Sequence, residues 1–189
     1  MVGIVLAGGC SSRAKVNKLL LEVDRKPLIR HTIDSIRNYV DEILVVTGRY
    51  NDELIPHLSD VKVIYNKDFS LGMFTSVLAG ARASKSDVLI LPGDITNVNN
   101  STIEALLQGN KDIRIPSFEG KTGHPVYISK KYVELLCEES FDSKLCDFIS
   151  KHSDVVEIIP VDDPFINFDI DTIEDYNKFI ELQRKELTL

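Results

Sequence analysis

The feature that most restricts the fold of this chain is its first apolar segment, Val2–Ala7, an almost unbroken run of aliphatic residues. Such a run is typical of a parallel strand that is covered on both faces. Similar runs recur at 42–47, 61–65 and 87–91. Between the first run and the run at 42–47, apolar residues recur with helical spacing from Leu28 to Tyr39. Strands that alternate with helices in this way predict βαβ units, and therefore an α/β fold with a parallel sheet.

Two glycines, Gly8 and Gly9, end the first strand and precede a polar, basic segment. Adjacent glycines let an anion approach the backbone closely, as in phosphate-binding loops. The segment contains neither G-x-G-x-x-G nor G-x-x-x-x-G-K-[ST], so it predicts neither the dinucleotide fingerprint nor the ATPase loop. The alternative is a surface turn with incidental basic residues. Hydroxyl groups and cations follow the glycines at Ser11, Ser12, Arg13, Lys15 and Lys18.

Composition excludes several classes of function. A net charge of -7 argues against a general nucleic-acid binder, because contacts to the phosphate backbone need a basic face. The cysteines Cys10, Cys137 and Cys146 are odd in number and lack C-x-x-C spacing, so neither a disulfide framework nor a zinc knuckle is predicted. No apolar run reaches the length of a membrane span, and the first strand leaves no room for a signal peptide. We expect a cytoplasmic protein with one domain over residues 1–189 and no membrane partner.

Carboxylates follow the strands at two places. Asp94 comes directly after the fourth apolar run, where the carboxyl ends of parallel strands share one edge of the sheet. A carboxylate at that edge can hold a hard cation such as Mg2+, although an aspartate that closes a turn is the simpler alternative. Asp169 and Asp171 are two residues apart and would point to the same side of an extended strand. Asn66 also falls at the end of a strand.

Three local patterns concern helix ends and turns. Ser70 is suited to cap a helix that continues to Ala83. Ser101 with Glu104 predicts a capping box for the next helix. The pair at 162–163, both aspartates, is interpreted as a solvated turn.

The first strand and its loop resemble the LAGGxSxRxxxxK signature of the MobA-like NTP transferases. The resemblance implies a three-layer α/β/α Rossmann-like fold of the nucleotide-diphospho-sugar transferase type, whose mostly parallel sheet has one antiparallel strand. It also implies that the loop wraps the triphosphate of an NTP, while Arg13 and Lys18 neutralise charge around the α-phosphate as catalytic groups. The family's Met-Gly after the arginine is replaced here by Ala14-Lys15. The matching residues are Leu6, Ala7, Gly8, Gly9, Ser11, Arg13 and Lys18.

Three further segments resemble motifs of the same family in the same order. The segment from Asn66 resembles N-x-x-x-x-x-G-M-x-x-S, whose Asn and Ser lie near the nucleobase; a helix of small packing residues is the alternative reading. LPGDIT resembles L-x-G-D-x-P, which implies that Asp94 binds magnesium, although Thr96 replaces the proline. NFDIDTIEDY resembles D-x-D-T-P-E-D, which implies that Asp169, or less favourably Asp171, completes the magnesium site. The matches in the first segment are Asn66, Gly72, Met73 and Ser76.

The run GHPV at 123–126 resembles the molybdenum cofactor cytidylyltransferases in particular. By this resemblance CTP is the favoured NTP, the acceptor is a phosphorylated pterin cofactor, and a molybdoenzyme chaperone is a candidate partner. His124 is then a candidate acceptor contact, with a structural histidine as the alternative, and Lys121 is a candidate for the acceptor phosphate in place of the family's paired arginines. Guanylyl transfer, cytidylyl transfer to another small phosphorylated acceptor, and a non-catalytic nucleotide sensor or cofactor chaperone remain alternatives.

Overall fold

A computed structural model describes residues 1–9, 17–168 and 175–176. Eight strands of the described residues form one sheet in the order β10-β7-β9-β6-β1-β4-β5, with β8 paired to β7. The remaining two strands, β2 and β3, form a small antiparallel pair. The strands are β1 Val2–Ala7, β2 Glu22–Val23, β3 Lys26–Pro27, β4 Glu42–Thr47, β5 Lys62–Tyr65, β6 Val88–Pro92, β7 Ile113–Phe118, β8 Lys121–Thr122, β9 Val126–Ile128 and β10 Val156–Pro160.

Helices cover both faces of this sheet. The α-helices are α1 Leu28–Ile36, α2 Asn51–Leu54, α3 Met73–Ala83, α4 Asn100–Gln108, α5 Lys130–Leu136 and α6 Leu145–Lys151. Side chains of α3, α5 and α6 share one core cluster with the sheet, and side chains of α1, α2 and α4 share the other. The three-layer α/β/α arrangement expected from the sequence is therefore confirmed. Within the described residues, no helix is both long and apolar enough to cross a membrane.

Strand β1 lies at the centre of the sheet, in parallel between β4 and β6. Its residues alternate between the two cores, with Ile4 in one cluster and Val5 in the other, and both side chains are fully buried. This burial on both faces explains the unbroken apolar run in the sequence.

The second half of the sheet contains the predicted antiparallel strand. Strand β9 runs antiparallel to both of its neighbours, β6 and β7. The turn at Glu119 and Gly120 has positive φ angles and connects β7 to the two-residue β8, which adds a short antiparallel pairing. The hairpin of β7 and β9 forms one wall of the site described below.

The local predictions for helix starts are wrong. Helix α3 begins at Met73 after Gly72, while Ser70 lies in the preceding 3-10 turn and does not cap the helix. Helix α4 begins at Asn100, so Ser101 lies inside the helix and the predicted capping box is absent. Instead, the carboxylate of Asp163 accepts hydrogen bonds from the Asn99 N–H and the Thr102 hydroxyl at the start of α4. Asp163 is fully buried, so the prediction of a solvated turn is wrong for this residue. A tertiary contact has replaced the local cap in α4.

Candidate nucleotide and acceptor site

The candidate site lies where β1 and β6 end. The two strands are parallel and in register, with Leu6 opposite Pro92, and the backbone N–H of Gly93 donates to the Leu6 carbonyl at 2.9 Å. The glycines after β1 and the carboxylate after β6 therefore emerge at the same edge of the sheet. This is the edge at which open α/β sheets bind their ligands.

Lys18 and Asp94 are in direct contact at this edge. Their Nζ and Oδ2 atoms are 2.5 Å apart, and the side chains are only 18% and 15% exposed. Lys18 opens a 3-10 turn whose N-cap is Asn17, and the Asn17 side chain accepts a hydrogen bond from the Leu19 backbone at 3.2 Å. A predicted catalytic cation and a predicted metal ligand thus form one shielded ion pair.

The loop that carries Asp94 is firmly packed. The Gly93 carbonyl accepts a 2.7 Å hydrogen bond from the Thr32 hydroxyl of α1. A Cβ atom at Gly93 would lie 3.0 Å from the Ile29 Cδ1 atom, so little side-chain volume fits there. Thr96, which stands where the family motif has proline, is only 2% exposed. This packing holds the Asp94 backbone in one position, as a ligand site requires.

The two glycines after β1 have different surroundings. Gly8 is buried, and a Cβ atom there would lie 2.4 Å from the Ser76 Oγ atom. The backbone of Gly48 also packs against Gly8, since a Cβ at Gly48 would lie 2.7 Å from the Gly8 carbonyl oxygen. Gly9 is exposed, and a Cβ there would meet no atom of residues 1–9, 17–168 or 175–176 within 4 Å. Packing therefore requires Gly8, whereas none of the described residues packs on Gly9 in this way.

Asn66 and Ser76 belong to a buried hydrogen-bond network. The Asn66 amide donates to the Thr75 hydroxyl at 2.8 Å and to the Ser76 hydroxyl at 3.0 Å, and its oxygen accepts from the Asp68 N–H at 3.0 Å. Asn66 is 5% exposed and Ser76 is 2% exposed. The network joins the end of β5 to the start of α3. Thr75, which the sequence motifs did not indicate, is a full member of it.

A cavity of about 880 Å3 extends from the Lys18–Asp94 pair. It lies between the start of α3, the hairpin of β7 and β9, and α6. Of the predicted site residues that the structure describes, Leu6, Lys18, Gly72, Asp94 and His124 line it. Ala7, Gly8, Gly9, Asn66, Ser76 and Lys121 do not line it. The other lining residues are Leu71, Met73, Phe74, Val77, Pro92, Ile115, Thr122, Gly123, Val126, Phe141, Asp142, Ser143, Lys144, Leu145, Cys146, Ile149 and Asn167.

His124 lines the cavity as a largely shielded imidazole. Its Nδ1 atom is buried and has no hydrogen-bond partner among the residues that the structure describes. Burial lowers the pKa of the imidazole, against the opposing effects of a hydrogen bond with the Ile90 backbone and the negative charge of Asp94. The lowered pKa favours the neutral ring near neutral pH. His124 therefore fits the role of a neutral hydrogen-bonding group better than that of a cation for a phosphate.

The far wall of the cavity, residues 141–146, was not indicated by the sequence. This segment between α5 and α6 matches no motif, so only its position in the fold brings it to the site. Arg82 of α3 stacks over the Phe141 ring of this segment at 5.2 Å, and it also donates to the carbonyl of Cys137, at the end of α5, at 3.1 Å. Lys144 on this wall is a cation that sequence reasoning missed.

Several predicted site residues lie outside the described residues, namely Ser11, Arg13, Asp169 and Asp171. Their roles stay predictions. Within residues 1–9, 17–168 and 175–176, no group of three or more His, Cys, Asp or Glu side chains is arranged to hold a metal ion. Asp94 is accordingly the one candidate metal ligand that the structure describes among those predicted.

The chain is similar in sequence to two enzymes of molybdenum cofactor synthesis. A probable molybdenum cofactor guanylyltransferase from Thermococcus sibiricus is 28% identical over 144 residues, which covers 72% of each protein. The molybdenum cofactor cytidylyltransferase of Escherichia coli is 28% identical over 132 residues, covering 67% of this chain and 69% of the enzyme.

Solved structures share the fold. A nucleotidyl transferase from Methanothermobacter thermautotroptrophicus superposes with a TM-score of 0.84 at 22% identity, covering 98% of both chains. A Mycobacterium tuberculosis protein crystallised in complex with manganese superposes with a TM-score of 0.77 at 21% identity, covering 95% of this chain and 97% of that one. The sequence model of the MobA-like NTP transferase domain matches residues 3–156. The chain therefore belongs to the MobA-like NTP transferase family, which is a family of nucleotidyltransferases.

Proposed function

We propose that this protein transfers a nucleoside monophosphate, CMP by preference, from an NTP to the phosphate of a molybdopterin-type acceptor and releases pyrophosphate. The observation that carries this proposal is the contact between Lys18 and Asp94 in the lining of the cavity. A cation and a carboxylate meet there at the edge of the sheet where β1 and its glycines end, and we place the triphosphate at this edge.

The proposed reaction is a displacement at the α-phosphorus. An oxygen of the acceptor phosphate attacks this phosphorus, the bond to the β-phosphate breaks, and pyrophosphate leaves with the electron pair. Both reactants are anions, so the protein must bring them together and neutralise their charge. Lys18 supplies positive charge from a shielded position, and we assign the same role to Arg13.

Asp94 fits the role of a ligand to a divalent cation. Its oxygens are the hard donors that Mg2+ prefers, and the largely shielded carboxylate already accepts a cationic partner, Lys18. We propose that Mg2+ is held by Asp94 together with Asp169, with Asp171 as the weaker candidate. When bound, the metal supplies charge neutralisation at phosphate oxygens. A metal at Asp94 would compete with the Lys18 ammonium for this carboxylate.

The cavity supports a pterin-like acceptor over a small sugar phosphate. Its walls carry aromatic and aliphatic side chains, among them Phe74, Ile115, Val126 and Phe141. Apolar walls bind ring systems by burying their surface, whereas a sugar phosphate needs many polar partners. A neutral His124 adds one hydrogen-bonding group. The names of the two relatives agree with such an acceptor, but they differ in the base, so guanylyl transfer is the alternative.

Pyrophosphate release tests this function. The protein is incubated with molybdopterin, Mg2+ and each of CTP, GTP, ATP and UTP, and controls omit the acceptor or chelate the metal. We expect release with CTP that depends on both acceptor and Mg2+. Faster release with GTP would overturn the cytidylyl preference. Tight NTP binding without release for any acceptor would contradict the enzyme and favour the nucleotide sensor or cofactor chaperone.

A further inference from the structure

Asp163 is a fully buried carboxylate that connects two separate segments of the chain. Its side chain is 0% exposed. Its Oδ2 atom accepts hydrogen bonds from the Asn99 N–H at 2.8 Å and from the Thr102 hydroxyl at 2.7 Å. Its Oδ1 atom accepts from the Phe165 N–H at 3.0 Å. Burying a carboxylate is costly unless it is well hydrogen-bonded, so three donors at one buried group indicate a specific role.

The first segment joined by Asp163 leads back to Asp94. Asn99 ends the loop after β6 that begins with Gly93 and Asp94. Within that loop Ile95 is 0% exposed and Val98 is 4% exposed, so the loop is packed along its length. A displacement at Asn99 would therefore be transmitted toward Asp94.

The second segment leads forward to Asp169. Phe165 is 1% exposed and packs with Leu28. The Ile166 carbonyl accepts a 2.6 Å hydrogen bond from the N–H of His124, which lines the cavity. The segment 163–168 is thus attached to the core, to the cavity wall and, through Asp163, to the loop of Asp94. It ends immediately before Asp169 in the sequence.

We propose that Asp163 is a positioning residue for the divalent cation, because it joins the loop that carries Asp94 to the segment that leads to Asp169. This inference rests on the proposed function, in which these two carboxylates hold the metal. Asp163 itself is not a ligand in this proposal, since its oxygens are occupied by the three hydrogen bonds described above.

Among side chains of this size, only a carboxylate can accept hydrogen bonds from both of these segments. Its two oxygens accept from opposite sides, one from the α4 end and one from Phe165. An asparagine has one oxygen, so its amide group must face a donor on one of the two sides, and two donors cannot bond each other. Asp163→Asn is therefore expected to keep one attachment and release the other.

The test measures binding of Mn2+ alone to the whole protein, by electron paramagnetic resonance of the free ion. Asp163→Asn is compared with Thr102→Val, which removes one hydrogen bond to the same carboxylate and keeps the bonds from Asn99 and Phe165. Both are measured at a temperature where circular dichroism shows them to be folded. We expect Asp163→Asn to weaken Mn2+ binding about tenfold, in the range of residues that orient metal ligands, and Thr102→Val to change it less than about twofold.

Equal Mn2+ affinity of Asp163→Asn and Thr102→Val would overturn the proposal, because the carboxylate would then act on stability alone. If circular dichroism shows that Asp163→Asn does not fold at any temperature, a second variant, Asp163→Glu, is measured instead. This variant keeps both oxygens but displaces them, so it should fold and still weaken Mn2+ binding. A wild type that binds Mn2+ but releases no pyrophosphate contradicts the proposed function and not the positioning role.

Discussion

Gly8 offers the sharpest test of how the loop after β1 is built. Replacing it with alanine places a Cβ atom 2.4 Å from the Ser76 Oγ atom, roughly 1 Å inside ordinary contact distance. The Ser76 hydroxyl cannot turn away without losing its 3.0 Å hydrogen bond from Asn66. Losing that bond costs about 1 kcal/mol, and shifting the backbone costs about 1–3 kcal/mol.

We therefore expect Gly8→Ala to lower the free energy of unfolding by about 2 kcal/mol. For a chain of this length that corresponds to a fall in melting temperature of about 4–8 °C. The matched control is Gly9→Ala, whose new methyl group meets nothing within 4 Å in the part of the chain that the structure describes. Gly9→Ala should stay within about 0.5 kcal/mol of the wild type in stability, and it should weaken nucleotide binding if phosphates lie over Gly9. Urea unfolding and thermal melts of both variants measure these differences.

A double-mutant cycle identifies the contact responsible. Ser76→Ala removes the Oγ atom and leaves a Cβ atom that would lie 3.6 Å from the new methyl group, which is ordinary contact. The double variant should be more stable than the sum of the single effects by about 1 kcal/mol or more. Additive effects, or a Gly8→Ala variant that melts with the wild type, would refute the packing requirement at Gly8.

Two further predictions concern charge. Asp94→Asn should lower the rate of pyrophosphate release about 100-fold or more. Because it removes the charge that faces the shielded Lys18 ammonium, it should also lower the melting temperature, so the rates are compared at a temperature where circular dichroism shows each variant to be folded. Asp142→Asn on the same cavity serves as the control, and equal rates would contradict the metal assignment. A hydrogen bond from Arg30 holds the pKa of Asp60 at about 2, against an ordinary value of 3.8, so this stabilisation is complete above about pH 4 and is lost as the pH falls toward 2. Asp60→Asn should therefore melt slightly below the wild type at pH 7 and together with it near pH 2, and a difference that grows at low pH would contradict this reasoning.

The strands were predictable because their environment imposes a simple pattern. A strand covered on both faces must be apolar at every position, and β1, β4 and β6 show this directly in the sequence. Helix starts were less predictable. Ser70 and Ser101 have the right chemistry for caps, yet Asp163 lies far away in the sequence and supplies the hydrogen bonds at the start of α4. Local preference is worth about 1 kcal/mol, so a tertiary partner readily replaces it.

The candidate site was likewise predictable only in part from the sequence. The position of Lys18 and Asp94 at one edge of the sheet followed from their places after parallel strands, and the structure brings them into contact. The burial of Asn66 and Ser76 within a hydrogen-bond network, and the wall formed by residues 141–146, did not follow from any motif. These features depend on which elements pack together, and no local pattern records that.

The sequence by itself determined the α/β class, the edge of the sheet at which a nucleotide would bind, and the membership of the family. The positions of the strands and of the loops at their carboxyl ends follow from apolar periodicity and glycine placement, which are local properties of the chain. Only the tertiary structure decided that Gly8 is required by packing while none of the described residues packs on Gly9 in this way, and that the buried Asp163 joins the loop of Asp94 to the segment before Asp169. Contacts between residues that are distant in the sequence depend on how the complete core packs. The same residue types also fit exposed positions, so residue type alone does not reveal these contacts.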